Sequence, residues 1–531
     1  MTQTEGASEE RSVKQAHLAL GLWSIRRALT FAVGTAVLLL VSAWFFISWL
    51  LGSPPHAEPK PLDTTAQLEL LKLVFALVAG VGALVALVTA YRRQRVDEAA
   101  GERAERMQAH SERVHAHTEY DAVERRVTEL YGQAIEHLGH DKAAVRLGGL
   151  YSLERLGRDH PKHRQTVTDV ICAYLRMPYQ VHAQASHSAP PDSTSEAPQQ
   201  ELQVRLAAQQ ILKRHLTIGQ PDQERPSAYW DGMLIDLTGA QLIDFDFGSC
   251  SPSQASFTNA EFLGNAAFHG AQFSEDATFQ GAQFKARATF GVAFFGGNTR
   301  FDGAQFADVA DFGGVRWDGI ALFERVQFPH IAEFGDAKFG GVTSFSEAQF
   351  GESVQFDGAR FKGIAEFTHA KFGDVANFSG VRFGGITAFD GAQFGQTAKF
   401  GPNSEGARTQ FCAGAVFDGA RFAGTVDFES VQFSGITRFQ EVHFDGAISF
   451  HGTCFDGITA FGGAQFSEAA DFKRTQFAAS TEFDRSRFVT EPDFEGATTS
   501  CLSNMANAWP APWEVYANLP GDTEGRLVRR R

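Results

Sequence analysis

Between residues 257 and 494, phenylalanine recurs at steps that alternate between five and six residues, and this spacing restricts the fold more than any other feature. The segment FDGARFKGIAEFTHAKF, residues 356–372, shows it plainly. An α-helix turns about 100° per residue, so a five-residue step carries a side chain roughly 140° away from its starting face. A flat strand changes face at every residue, so an odd step sends alternate Phe to opposite sides. Glycine is also frequent here, and each one costs a helix on the order of 1 kcal/mol. What remains is a coil that turns a corner once per unit and brings each Phe back inward.

A second inward position supports the same geometry. A small residue stands two places before each Phe: Ala282, Ala304, Ala359, Ala370 and Ala392, with Val381, Thr343 and Thr387 elsewhere. Large and small side chains sharing a narrow interior fill it without voids. Phe257, Phe306, Phe361, Phe372, Phe394, Phe433 and Phe466 are therefore expected in the core. The extra residue of each six-residue side marks a wider corner. It is often apolar (Val309, Ile320, Ile331, Ile364, Ile386, Ile436, Ile458), which predicts partly exposed apolar stripes.

TGAQLIDFDF, with Leu237, Leu242 and Phe247 at a plain five-residue step, and the later FDGAQF, FDGARF and FGGAQF carry a family resemblance. They resemble the pentapeptide-repeat proteins, whose unit reads A-(D/N)-(L/F)-x-x. With two apolar segments and the stretch RLGGLYSLERLGRDHP, the chain is similar to membrane-tethered members seen in high-GC bacteria. The resemblance implies a right-handed quadrilateral β-helix over residues 231–498, here with alternating five- and six-residue sides. Each coil then takes about twenty-two residues, and roughly twelve coils at about 4.8 Å make a rod near 55 Å long.

Residues 27–51 and 73–91 are long apolar runs without a polar stripe, and read as two transmembrane helices. Arg26, Arg27, Arg92, Arg93 and Arg95 flank them, whereas the connecting residues 52–72 carry little net charge. The positive-inside rule places the tail 1–26 and everything after residue 91 in the cytoplasm, with the short loop outside. The expected location is a bacterial cell membrane, multi-pass, with the repeats cytoplasmic.

Residues 92–180 read as a helical region. Val127, Leu130, Ile135 and Leu138 make one apolar set, and Val145, Leu150, Leu153 and Leu156 another. Gly139 and Gly157 sit where helices are expected to end, and Pro161 where the next begins. His137, His140, His160 and His163 lack acidic or Cys neighbours at ligand spacing and read as solvated. Residues 181–200 form a linker by composition. Residues 201–230 form a helical cap, with Leu202, Leu206 and Ile211 on one face. Residues 499–531, with Trp509, Pro510, Trp513 and Tyr516, are expected to cover the last coil. Where the rhythm breaks, residues 401–408 are expected to protrude as a loop. Gly406 is expected to take an inward position there, giving a twenty-three-residue coil and moving the long sides to the other faces.

Residues twenty-two apart stack. Arg316, Lys338, Arg360 and Arg382 form a basic ladder on one face and are the candidate binding residues, with Asp311 and Glu333 beside them as partial offsets. The opposite face carries Gln283, Gln305, Gln327, Gln349, Lys371 and Gln393, expected to bond through their amides. Like charges about 5 Å apart repel, so the basic row reads either as surface decoration neutralised by its neighbours or as a site for an anionic partner.

The repeat region holds 34 Asp and Glu against 18 Lys and Arg, a net −16. That excludes a basic footprint for phosphate backbones, and no direct nucleic-acid binding is expected. The five cysteines contain no C-x-x-C pair and read as reduced thiols. P-loop, H-E-x-x-H and nucleophile-elbow motifs are absent, so no enzyme activity, cofactor or metal is expected. Two functions remain. One is a membrane-anchored, cytosol-facing scaffold for a cytosolic protein; the other is an acidic DNA mimic that binds a type II topoisomerase, as the resemblance implies for some members. Oligomeric state is not determined by the sequence.

Overall fold

The computed structural model describes residues 25–50, 64–179, 196–219, 225–500, 509–516 and 524–530. The tail 1–24, most of the expected external loop (residues 52–63) and most of the expected linker (residues 181–195) lie outside the described residues. The chain divides into two compact units, residues 1–123 and 124–531.

In the first unit, helix α1 runs Ile25–Leu50 and helix α2 begins at Thr64 and continues to Leu138 in the second unit. Among the described residues, α2 alone contains a stretch long and apolar enough to cross a membrane; the apolar segment of α1, Val33–Phe46, is shorter. Phe31, Trp44, Leu84 and Leu87 are all exposed on these helices.

The second unit starts with a helical cap: the end of α2, then α3 (Ala143–Asp159), α4 (Arg164–Arg176) and α5 (Glu196–Leu216). Val127 and Leu138 of α2 are buried as expected, whereas Leu130 and Ile135 are exposed and their neighbours Tyr131 and Ala134 face the core instead. In α5 the buried set is Val204, Ala207, Ala208, Ile211 and Leu212, while Leu202 and Leu206 are only partly covered. Gly157 does not end a helix. It lies in the last turn of α3, where a Cβ would stand 2.5 Å from the Trp230 ring, so the position is reserved for that contact. Trp230 in turn stacks on His215 at 4.0 Å, and both His215 ring nitrogens meet acceptors, the Ala228 carbonyl at 2.6 Å and Glu154 at 2.9 Å. Arg205 is buried and fully engaged: it bonds Glu201 at 3.1 Å and the Leu175 and Met177 carbonyls.

The cap closes the open edge of the first coil by imitation of a strand. The Gln165 side-chain amide accepts from Leu234 N–H and donates to Leu234 C=O, both at 2.9 Å. The Gln209 amide does the same to Ile243, at 2.8 and 3.0 Å. An edge strand otherwise leaves these groups unpaired and open to association.

The repeats form a β-solenoid of about 12 turns with four sides, built from two-residue strands in parallel register. The first coil spans 20 residues, Leu234 pairing with Gln254 and Gln241 with Glu261. A register shift opposite Gly264 widens the next coil, and from there the repeat is 22 residues, as in Gln283 with Gln305. Inside, Phe side chains stand in four columns. Successive rings stack face to face, as in Phe262–Phe284–Phe306 at 4.5 and 4.4 Å. Columns meet edge to face, as in Phe279 and Phe290 at 5.4 Å and 87°. Phe257, Phe306, Phe361, Phe372, Phe394, Phe433 and Phe466 are all buried.

The break in rhythm resolves differently from expectation. Gly406 is exposed with φ +80°, and Phe411 stacks directly on Phe383 at 4.7 Å. Arg382 pairs with Gln410 and Phe389 stacks on Phe417, so this coil is 28 residues long and the long sides keep their faces. A corner insertion leaves all four ring columns intact, whereas an extra inward residue would displace one. Thr409, buried, fastens the loop's base by bonding the Phe378 and Gly401 carbonyls at 2.9 and 3.2 Å. At the far end Trp509 lies on Phe477, Phe483 and Phe494, and Trp513 on Phe494. The hairpin of Trp513–Tyr516 and Gly525–Arg529 adds antiparallel to the last coil. Tyr516 stays exposed.

Phe361→Ala should cost about 3–5 kcal/mol, because a cavity opens in a stack that cannot collapse. Gln209→Leu should cost about 1–3 kcal/mol by stranding the Ile243 N–H and C=O. Urea denaturation followed by circular dichroism measures both.

Candidate interaction face

One of the solenoid's sheets takes one strand per coil: Phe294–Phe295, Arg316–Trp317, Lys338–Phe339, Arg360–Phe361, Arg382–Phe383 and Gln410–Phe411. The register sets Arg316 on Phe294, Lys338 on Arg316, Arg360 on Lys338 and Arg382 on Arg360. All four basic side chains are exposed. Behind each stands an inward ring, and Trp317–Phe339–Phe361–Phe383 stack at 4.6, 4.5 and 5.1 Å. The spacing of the cations is therefore inherited from the core.

Their neutralisation is uneven. Arg316 chelates Asp318 through Nε at 2.7 Å and Nη2 at 3.1 Å, and lies over the Phe294 ring. Its hydrogen bond and charge contact with Asp318 push the guanidinium pKa upward. Arg382 donates to Gln410 at 2.7 Å. Lys338 and Arg360 have no partner among the described residues. The offsets expected from Asp311 and Glu333 do not form: the Asp311 carboxylate accepts the Gly313 N–H at 2.8 Å, and Glu333 makes no ion pair with the row. Lys362, which the twenty-two-residue spacing alone passes over, adds a further exposed cation two residues after Arg360. The two-residue period of a strand was the signal for it.

The next corner is apolar. Thr299, Ala321, Thr343, Ala365 and Thr387 stack inward, so the residues before them, Ile320, Val342, Ile364 and Ile386, line up outside. They are 37–52% exposed. Val309 and Ile331 belong to a different corner, since they precede the pair Ala310 and Ala332. Between the basic row and the apolar corner run Gly340–Gly341 and Gly384–Gly385, with Lys362–Gly363 between them. A Cβ at Gly341, Gly363 or Gly385 would meet the preceding coil's carbonyl oxygen at 2.4–2.5 Å, so packing of the coils demands glycine there. The result is a shallow trough: cations on one rim, branched aliphatics on the other, and a floor of glycine backbone from which Asp318 and Lys362 project.

The glutamine row lies in the 21-stranded sheet, with Gln283, Gln305, Gln327, Gln349, Lys371 and Gln393 in register. No amide hydrogen bond joins those glutamines among the described residues; Gln283 instead accepts from Lys285 at 2.5 Å. Backbone pairing holds these coils without help from the amides. A shallow groove of about 420 Å³ lies here, floored by Gly351, Gly373 and Gly395. Its Arg421 is tied to Asp445 at 2.8 Å.

The family model for pentapeptide repeats matches this region in 9 copies, over residues 257–305, 301–349, 323–371 and 417–465. No curated protein and no solved structure matches the chain.

Cys412 follows Phe411 on this face and is partly exposed, whereas Cys172 and Cys250 are buried. Burial pushes both buried thiols up to about 12. Burial and Asp456 also raise Cys454, against Arg408. At pH 8.5, among the described cysteines, an alkylating reagent should modify Cys412 first and leave Cys172 and Cys250 untouched until denaturant is added. Raising the pH toward 11 should not by itself expose them unless the fold opens; peptide mass spectrometry reads each site.

Proposed function

The chain is a pentapeptide-repeat protein over its solenoid, and from that premise we propose that it is a membrane-anchored, non-catalytic scaffold that docks an acidic cytosolic protein on the trough face. The observation that carries this reading is the row Arg316, Lys338, Arg360 and Arg382, held in register with three of its members unneutralised, since Arg382 meets only the neutral Gln410 amide. Two unit charges about 4 Å apart interact by about 1 kcal/mol in water, and past Arg316, which Asp318 offsets, the fold bears that repulsion without an internal remedy. An anionic partner removes it.

The anchor is the pair of apolar segments, and the cytoplasmic placement follows from the arginines that flank them. The solenoid is a structural fold, and the scaffold reading assigns it no catalytic group.

The net −16 of the repeats favours the second reading, a DNA mimic directed at a type II topoisomerase. Mimicry needs unbroken acidic faces, and the basic row interrupts one of them.

Two measurements test the proposal. A reporter active only outside the cytoplasm should work when inserted between residues 56 and 57 and fail when fused after residue 531. A photocrosslinking residue at Lys362, in the full chain in its host membrane, should give one discrete protein adduct. The adduct should disappear when the four row residues become Glu. An active reporter at the C-terminal end, or an adduct indifferent to the four Glu, would refute the scaffold. Inhibition of DNA supercoiling by the isolated protein, unaffected by the same substitutions, would favour mimicry instead.

A further inference from the structure

We propose that the occupant of the trough is a single acidic amphipathic α-helix lying along the solenoid axis. This rests on the docking reading above and names the shape and chemistry of what docks.

Each coil presents the same pair, a cation followed four residues later by an aliphatic: Arg316 and Ile320, Lys338 and Val342, Arg360 and Ile364, Arg382 and Ile386. The pairs repeat at the inter-strand spacing of about 4.8 Å. An α-helix repeats each face every 5.4 Å or so, which over three coil steps drifts only about 2 Å. Flexible Lys and Arg side chains absorb that. An extended chain repeats a face every 6.6–6.8 Å or so and drifts about 6 Å over the same distance. A helix with acids at i and i+4 and aliphatics on the adjoining stripe presents the complementary pattern.

The borders fit the same occupant. Strand rise puts the two rims on the order of 10 Å apart, a helix width. At one end Arg316 is already satisfied by Asp318. At the other the basic row ends, because Gln410, Gln432 and Cys454 follow Arg382 in register, and Gly414 interrupts the apolar rim before Ile436 and Ile458 resume it. There the insertion 401–408 stands on the flank, with Asn403 against Gly380. Beyond the basic row lie Glu333, Asp336 and Asp357, and beyond the apolar rim Glu324 and Glu366, which confine an acidic ligand to the cations of the trough. The same carboxylates, with Asp318, would also meet the charge of a flat anionic bilayer, and so favour a narrow ligand over a membrane surface.

The test uses the full chain in zwitterionic nanodiscs and synthetic sixteen-residue peptides. The probe has Glu at i, i+4, i+7 and i+11, on one helix face, and Leu on the adjoining stripe. Controls are a scrambled peptide of equal composition, the probe interrupted by proline, and anionic phosphatidylglycerol vesicles. Binding of the probe should exceed binding of both control peptides by about tenfold and weaken as salt rises. Lys338→Glu with Arg360→Glu should lower it by about tenfold, as should Ile364→Asp with Ile386→Asp. Circular dichroism and the slow alkylation of Cys172 confirm that each variant is folded. Equal binding of scrambled or proline-interrupted peptide overturns the helix, as does indifference to either pair of substitutions. Vesicles bound in a row-dependent way, with no peptide selectivity, assign the trough to lipid instead. If the photocrosslinked adduct depends on the row while the helical probe fails, the occupant is wrong and the scaffold stands; loss of both removes the scaffold.

Discussion

Stacking of phenylalanine rings from coil to coil sets the period on which everything else in the solenoid depends. Rings such as Phe372 and Phe394 lie 4.6 Å apart and nearly parallel, and the backbone strands beside them pair in the same register. Loss of one such ring costs about 3–5 kcal/mol. Repulsion between neighbouring surface cations is about 1 kcal/mol in water. The core therefore wins, and it places outward residues in line whatever their chemistry. Arg360 stands over Lys338 because Phe361 stacks on Phe339.

A structure with so regular an interior is vulnerable at its ends and at any change of length. The first coil is closed by Gln165 and Gln209, whose amides stand in for a strand, and the last by Trp509 and Trp513. The cap that carries the glutamines is itself fixed by close contacts, with Gly157 beneath Trp230 and Arg205 among buried carbonyls. The six additional residues of the longest coil are expelled at a corner and the columns continue past them. The trough follows from the same rule, since its glycine floor exists to let one coil's carbonyls approach the next.

Much of this was legible in the residues. The five–six alternation gave the coil, the inward Phe and Ala, and the line of basic residues, because a period fixed by packing is written directly in spacing. Gly406 misled because glycine suits an inward small position as readily as a left-handed turn, and only the stacking of Phe411 on Phe383 decides between them. Gly157 misled for a similar reason: glycine marks a helix end or a close ring contact with equal ease. The strand-mimicking glutamines were invisible, since nothing local distinguishes Gln165 or Gln209 from a solvated helix residue. Asp311 beside the row turned to its own turn N–H, a choice that distance along the chain does not reveal.

Removal of residues 402–407 tests the primacy of the ring columns most directly. It restores a 22-residue coil while leaving Thr409 and Phe411 in place. If the columns set the register, the shortened chain keeps its β-sheet circular dichroism, and its urea midpoint shifts by no more than about 0.5 kcal/mol in stability. Loss of cooperative unfolding, or exposure of Cys172 and Cys250 to alkylation, would mean that the insertion is part of the coil and that the columns do not govern it.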